Sequence, residues 1–136
     1  GYDVWFIDMV AETNPYNGAY IILDLIVPKE LGGFANLDGI VGEYKFHDEN
    51  TSDYAYTIPV GRLRDDSLQL HAWYLWCVQS QVDMSQAAPM TSGTVKVTKN
   101  GAGDYTFEFD STDDNGNRIV GTFQGTILDY QDQSYE

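Results

Sequence analysis

Residues 92–127 constrain the fold more than any other part of the chain, because they contain three strand patterns separated by two turn patterns. The first turn, residues 100–103, contains two glycines, which tolerate the positive φ angles that hairpin turns require. The second turn, residues 113–117, contains Asn115-Gly116, which predicts a type I′ turn. Two successive hairpins predict an all-β domain.

The side-chain pattern within these strands indicates how the sheet is shaped. Tyr105, Phe107 and Phe109 alternate with polar residues, as expected of a strand with one buried and one solvated face. In the next strand, Gly121 and Gly125 interrupt an otherwise apolar face. Glycines at such positions predict strong curvature or a large side chain packed over the backbone. The pattern favours a barrel or a strongly coiled sandwich over a flat sheet.

Eight strands are predicted along the 136 residues, a length that suits one domain spanning residues 1–136. Because most connections are short, consecutive antiparallel pairing is the simplest topology. Eight strands can close an antiparallel β-barrel, and a two-sheet β-sandwich is the alternative. A helical turn is predicted within residues 82–90. The predicted strands are residues 2–10, 19–27, about 37–46, 53–60, 68–80 and the three strands of residues 92–127.

The charge and the cysteine content exclude several classes of protein. The chain has 21 acidic and 7 basic residues, giving a net charge of −14 that repels nucleic acids and anionic membranes. Such acidity suits a secreted or surface-exposed protein, or one that binds cations. The single cysteine, Cys77, lies in an apolar strand and is expected to be a small buried side chain. No apolar run is long enough to predict a membrane span.

The first and fifth predicted strands are apolar on both faces, unlike a half-exposed antiparallel strand. Something must therefore cover the second face: residues 82–90, the N-terminus, a partner subunit or a ligand. In the first strand the two faces are Tyr2, Val4 and Phe6, and Trp5, Ile7 and Met9. In the fifth they are His71, Trp73, Leu75 and Cys77, and Leu70, Ala72, Tyr74, Trp76 and Val78.

Four aromatic residues in these strands are the candidate ligand-binding residues: Trp5, Trp73, Tyr74 and Trp76. An aromatic patch rimmed by polar groups often marks a binding surface, and sugars present apolar C–H faces to aromatic rings. The competing interpretation is that these side chains belong to the hydrophobic core, the ordinary place of aromatic residues.

No motif predicts an enzyme, a metal site or a cofactor. The two histidines, His47 and His71, do not share a metal-ligand spacing, and neither a nucleophile elbow nor a phosphate-binding loop is present. The acidic segment 110–117 does not match the spacing of a calcium-binding loop, so an ordinary turn is predicted there, with calcium binding as the alternative. A carboxylate pair for glycoside hydrolysis cannot be located among so many acids.

Six motifs follow one another along the chain: Tyr2-Asp3-Val4-Trp5-Phe6, Ile21-Ile22-Leu23-Asp24-Leu25, Gly42-Glu43-Tyr44, Gly93-Thr94-Val95-Lys96-Val97, Tyr105-Thr106-Phe107-Glu108-Phe109 and Gly121-Thr122-Phe123-Gln124-Gly125. In this order the chain resembles secreted lipoprotein domains of gut Bacteroides-type bacteria, whose functions are largely unknown. The resemblance implies a calycin-like (lipocalin-like) barrel and a secreted or outer-membrane surface location with the leader removed. The lipid-bearing cysteine of such proteins is missing here, so membrane attachment is expected only through an anchor outside this chain.

The resemblance therefore implies a non-enzymatic secreted or cell-surface domain, and three hypotheses cover its role. The first is an interaction or structural module that contacts an unknown protein partner or a second copy of itself. The second is a domain that binds a glycan or a small apolar ligand through the four aromatic residues. The third is a carboxylate-dependent glycoside hydrolase.

Overall fold

A computed structural model describes residues 2–12, 15–28, 37–47, 53–64, 67–69 and 71–126. Within these ranges the chain is all-β, as predicted, with two short 3-10 helices, Leu37–Ile40 and Met84–Gln86. The second of these confirms the helical turn predicted within residues 82–90. The strands are β1 (Tyr2–Glu12), β2 (Asn17–Pro28), β3 (Gly42–His47), β4 (Thr57–Pro59), β5 (Arg62–Arg64), β6 (Ser67–Gln69), β7 (Ala72–Val78), β8 (Gln81–Val82), β9 (Ala88–Pro89), β10 (Ser92–Gly101), β11 (Asp104–Thr112) and β12 (Arg118–Thr126).

Ten of these strands form one open, strongly curled sheet with the shape of a half-barrel, and β5 and β6 form a separate hairpin. The main path through the sheet is β12-β11-β10-β3-β4-β2-β7-β8, with β1 also paired to β2 and β9 to β7. In the described part of the chain this sheet does not close, so the closed eight-stranded barrel is not observed there. A two-sheet sandwich is not observed there either.

The pairing of the central strands differs from the predicted consecutive antiparallel order. Consecutive pairing holds for β1 with β2, for β10 with β11 and for β11 with β12. In contrast, β3 pairs with β10 and lies parallel to β4. β2 is long enough to pair with β7 through Gly18–Leu23 and with β4 at Ile26. Because β2 pairs with β1, β4 and β7, the middle of the sheet brings together segments that are distant in sequence.

Three of the predicted strands are shorter than expected. The third begins only at Gly42, because the residues at its predicted start form a 3-10 helix held by one local and one long-range hydrogen bond. The Tyr44 hydroxyl donates to the Ile40 carbonyl at 2.7 Å, and the Tyr105 hydroxyl donates to Asp38 at 2.6 Å. The fourth is reduced to β4 by the turn at Tyr56. The fifth is divided into β6 and β7, with residue 70 outside the described ranges.

Both C-terminal hairpins lie where the turn residues predict them. Gly103 and Gly116 have φ angles of 73° and 81°, the left-handed conformation that glycine adopts without a steric penalty. Asn115 does not have a positive φ, so the predicted type I′ turn is wrong. The loop is wider than two residues because the Asp113 carboxylate accepts hydrogen bonds from the backbone N–H groups of Asn115 and Asn117.

The hydrophobic core fills the inner face of the half-barrel. The ring of Phe109 lies over Gly121, where a Cβ atom would come within 3.0 Å of it. This contact confirms that a large side chain packs over the glycine-containing strand. The buried core residues are Ile7, Met9, Ile21, Leu23, Leu25, Val27, Ile40, Tyr44, Ile58, Ala72, Met90, Val95, Val97, Tyr105, Phe107 and Phe109.

Candidate functional site

The outer face of the sheet, opposite the core, has a polar half and an apolar half. One row of cross-strand neighbours runs Val4, Ile26, Thr57, Lys45, Thr94, Asp110 and Val120. On β10 and β11 the outer face carries the exposed side chains of Lys96, Glu108 and Asp110, as expected of a solvated surface. On β1, β2 and β7 the same face carries mainly apolar side chains. The apolar half and its border are therefore the candidate binding surfaces.

Most of the apolar outer face is covered by the chain itself. Trp73, Leu75 and Cys77 of β7 are buried, although they lie opposite the side of the strand that contributes to the core. This confirms intrachain cover for the second face of the predicted fifth strand and the expected burial of Cys77. β7 therefore offers no free apolar surface on this face.

The outer face of β1 is not covered in the same way. The side chains of Tyr2, Val4 and Phe6 are 43%, 46% and 69% exposed, and we call these three residues the β1 stripe. β1 has eleven residues, and within the described ranges its only strand partner is β2. The stripe therefore combines a long sheet edge with an exposed apolar surface, a combination that natural sheets usually avoid.

The four aromatic residues predicted to bind a ligand do not share a surface. Trp73 lies on the outer face, whereas Tyr74 and Trp76 lie on the inner face of β7, because successive side chains alternate. Trp5 and Tyr74 are half-buried and pack against the core. A single platform of all four residues is therefore not formed, and a ligand-binding role for any one of them stays a prediction.

A part-buried hydrogen bond between Asp24 and His71 links β2 to the residue before β7 on the outer face. His71 Nδ1 lies 2.8 Å from the Asp24 carboxylate, which is buried. Burial raises the pKa of Asp24, while the hydrogen bond and the charge of His71 act in the opposite direction. Nearby, the Tyr20 hydroxyl donates to Asp8 at 3.0 Å. The sequence singled out Asp24 and His71 separately, but their contact across 47 positions carried no local signal.

An open groove lies where β3 and β4 meet the segment that precedes β4, and we call it the β3 groove. Its volume is about 650 Å³, within the range of small-ligand sites. Sequence analysis missed it, because the alternation in β3 and the polar residues after it indicate only a solvated strand and a turn. The groove is lined by Glu43, Lys45, Phe46, His47, Asp53, Ala55, Tyr56, Thr57, Val60 and Thr91.

Tyr56 forms a firmly held wall of this groove. Its φ angle of 55° is uncommon for a residue with a side chain, and surrounding contacts must hold it there. Its N–H donates to the Ile26 carbonyl at 2.9 Å, and its carbonyl accepts from the Lys45 N–H at 3.2 Å. Its ring packs against Gly42, where a Cβ atom would come within 3.0 Å, and edge-on against Tyr44.

Aromatic contacts connect the groove to the β1 stripe. The ring of Tyr54 lies edge-on to His47 at 5.1 Å between centroids and edge-on to Tyr2 at 5.9 Å. The outer face thus presents two adjacent features: an apolar strand edge and a polar groove.

In the acidic loop between β11 and β12, the carboxylate of Asp113 is hydrogen-bonded to other residues of the same loop. Asp113 accepts two backbone hydrogen bonds and one from Asn117 Nδ2 at 3.2 Å. Desolvation acts to raise the pKa of Asp113, but the hydrogen bonds from Asn117 and Asn115 outweigh it and lower that pKa. These contacts are those of an ordinary turn.

Neither a metal centre nor a membrane-crossing helix was found in the described ranges. Across these ranges no three His, Cys, Asp or Glu side chains converge to hold a metal ion. The same ranges contain no helix with the length and hydropathy needed to cross a membrane.

Comparison of the chain with protein-family models gives no match, and comparisons with curated proteins and with solved structures give none.

Proposed function

We propose that this chain is a non-enzymatic interaction domain whose edge strand β1 takes up an extended segment of a partner protein. The observation that supports the proposal is the β1 stripe, an exposed apolar surface on a strand whose strand partner in the described part of the chain is β2 alone. In strand addition, backbone hydrogen bonds supply affinity and alternate side chains supply specificity. The alternation of Tyr2, Val4 and Phe6 suits this mode of binding.

The features that usually protect a sheet edge are scarce on β1. Short strands, lysines, prolines and bulges normally block edge-to-edge pairing. β1 has no lysine or proline, and its register shifts only near its end, between Val10 and Glu12. A long edge that lacks lysine and proline is consistent with a strand that is paired in the functional state.

Charge indicates what kind of segment would pair there. The β1 sequence contains three acidic residues and no basic one, and the whole chain has a net charge of −14. A partner strand that alternates basic and apolar residues would be attracted to this edge, whereas an acidic one would be repelled. The proposed occupant is therefore a basic–apolar extended segment of another protein.

We also propose that the domain belongs to a secreted or surface-anchored bacterial lipoprotein with a calycin-like barrel. The strand motifs that resemble such lipoproteins support this assignment. The half-barrel curl of the sheet is compatible with it.

The proposal is tested with two synthetic peptides of about six residues, one alternating lysine with valine and one alternating glutamate with valine. Binding is measured by isothermal titration calorimetry against the wild type and the double variant Val4→Ser, Phe6→Ser. The lysine peptide is expected to bind the wild type, and the variant to bind at least about tenfold more weakly, a loss of about 1.4 kcal/mol. Both substituted side chains are exposed, so the fold is expected to persist.

The matched control is Val120→Ser on β12, an exposed valine at the other end of the same outer-face row. This control is expected to bind the lysine peptide like the wild type. Absence of wild-type binding, equal binding of both peptides, or an equal loss in the control would overturn the proposal.

A further inference from the structure

We infer that the β3 groove is a binding site for a neutral oligosaccharide. The groove lies beside β3 and β4, separate from the edge of β1, and the inference does not depend on strand addition at that edge. Three properties of the groove favour such a ligand: the signs of the charges around it, the chemistry of its uncharged lining, and the rigidity of its wall.

The charged lining residues have opposite signs. Glu43 and Asp53 carry negative charge and Lys45 carries positive charge, and all three side chains are exposed. A strongly anionic ligand would meet the two carboxylates, and a strongly cationic ligand would meet the ammonium group. A neutral ligand avoids both penalties and can still use Glu43 and Lys45 as hydrogen-bond partners.

The uncharged lining matches a ligand with hydroxyl groups and apolar C–H faces. Thr57 and Thr91 donate their hydroxyl protons to the carbonyls of Tyr54 and Thr112, which leaves both hydroxyl oxygens to accept hydrogen bonds from a ligand. Phe46 and Tyr56 pack against the core on one side and are half-buried, and their remaining aromatic surface lines the groove, where the apolar face of a sugar ring can pack. A volume of about 650 Å³ in an open groove accommodates several linked sugar rings with their ends in solvent.

The wall of the groove is preorganised. Tyr56 is held in its left-handed conformation by backbone hydrogen bonds to two strands and by packing on Gly42. A wall that is already ordered loses little conformational entropy when a ligand binds. This matters for sugars, because the net gain from each exchange of water hydrogen bonds for protein hydrogen bonds is small.

The test is a titration of the isotopically labelled chain followed by amide NMR spectra. The neutral probes are cello-, malto-, xylo- and chito-oligosaccharides, and the charged probes are an oligogalacturonate and an oligomer of glucosamine. At least one neutral probe is expected to bind at or below millimolar concentration, with shifts centred on the amides of Lys45, Tyr56 and Thr91. At about 150 mM salt, where the attraction of the acidic chain for cations is largely screened, the charged probes are expected to bind that site at least about tenfold more weakly, about 1.4 kcal/mol.

Two variants, Glu43→Gln and Lys45→Met, are expected to weaken binding of the neutral probe about fivefold or more. The matched control is Glu108→Gln, an exposed outer-face glutamate of β11 outside the groove lining, which should bind like the wild type. The inference is overturned if no neutral probe shifts the groove amides at ten millimolar, or if the charged probes bind equally well. It is also overturned if Glu108→Gln loses as much affinity as Glu43→Gln. Peptide binding at β1 is measured on the same variants, so failure of one proposal is distinguishable from failure of the other.

Discussion

At the scale of single residues, two positions show how this sheet tolerates costly features. Asp24 is a carboxylate buried on the outer face, with His71 as its hydrogen-bonding partner at 2.8 Å. Gly121 is a glycine within a strand, where it leaves room for the ring of Phe109. Burying a carboxylate and placing a glycine within a strand both reduce stability locally, and each allows a contact with a distant segment. The effect on the free energy of unfolding can be measured at each position by substitution.

We expect Asp24→Asn to be more stable than the wild type at neutral pH, and the difference to disappear in acid. Burial raises the folded-state pKa of Asp24 above its ordinary value of 3.8, so ionisation in the fold is disfavoured. The wild type therefore loses stability as pH rises from the unfolded-state pKa through the folded-state pKa, whereas asparagine does not ionise.

Urea denaturation of both proteins between about pH 3 and pH 8 measures this difference. The expected result is a gap in free energy of unfolding that opens as pH rises and then stays constant. A variant that becomes progressively less stable than the wild type over this range would show that attraction by His71 exceeds the cost of burial.

Gly121→Val is expected to destabilise the fold by about 1–3 kcal/mol, the usual cost of overpacking. A Cβ at this position meets two atoms of the Phe109 ring at 3.0 and 3.1 Å, and this ring is buried in the core. Gly125→Val is the control, because its nearest neighbour, a ring atom of Phe123, is 3.7 Å from the Cβ position. Thermal denaturation of the two variants compares them, and equal losses of stability would contradict this account.

At the scale of elements, local sequence patterns predicted the C-terminal hairpins, whereas contacts between distant segments determine the 3-10 helix, the central strand pairing and the groove. Gly103 and Gly116 mark the ends of β10 and β11 because turn geometry depends on neighbouring residues. The 3-10 helix Leu37–Ile40 was predicted as strand, since it is fixed by Tyr44 and by the distant Tyr105. The parallel pairing of β3 and β4 and the β3 groove likewise depend on segments that no local pattern relates.

The hairpin loop between β11 and β12 is expected not to bind calcium. The Asp113 carboxylate already accepts hydrogen bonds from Asn115 and Asn117, so a calcium ion would have to replace these contacts. Thermal denaturation with and without millimolar calcium is expected to give the same Tm. A rise in Tm with calcium that is lost in Asp113→Asn would contradict this interpretation.

At the scale of the whole molecule, the net charge and the exposed β1 stripe together determine which kind of partner is favoured. The net charge of −14 makes two copies repel each other, while the β1 stripe favours contact with another chain. Repulsion between copies and attraction to a basic segment both favour a different protein as the partner. Because the outer face is polar on β10 and β11 and apolar on the β1 side, the contact is expected on the β1 side of the sheet.

The chain is therefore expected to be monomeric at low ionic strength over a wide concentration range. Sedimentation velocity at about 20 mM salt, where charges are weakly screened, measures this directly. A dimer that forms under these conditions and is abolished by Val4→Ser, Phe6→Ser would identify a second copy as the occupant of β1, contrary to the proposal.

The most direct test of strand addition at β1 is amide hydrogen exchange with and without the lysine–valine peptide. A strand added to this edge must form hydrogen bonds with β1 amides that do not bond to β2, so exchange at alternate positions of Tyr2–Glu12 should slow. The amides of Arg118–Thr126 on the opposite edge should not change. Protection along β12, protection spread over the whole sheet, or no protection at β1 at saturating peptide would contradict the account.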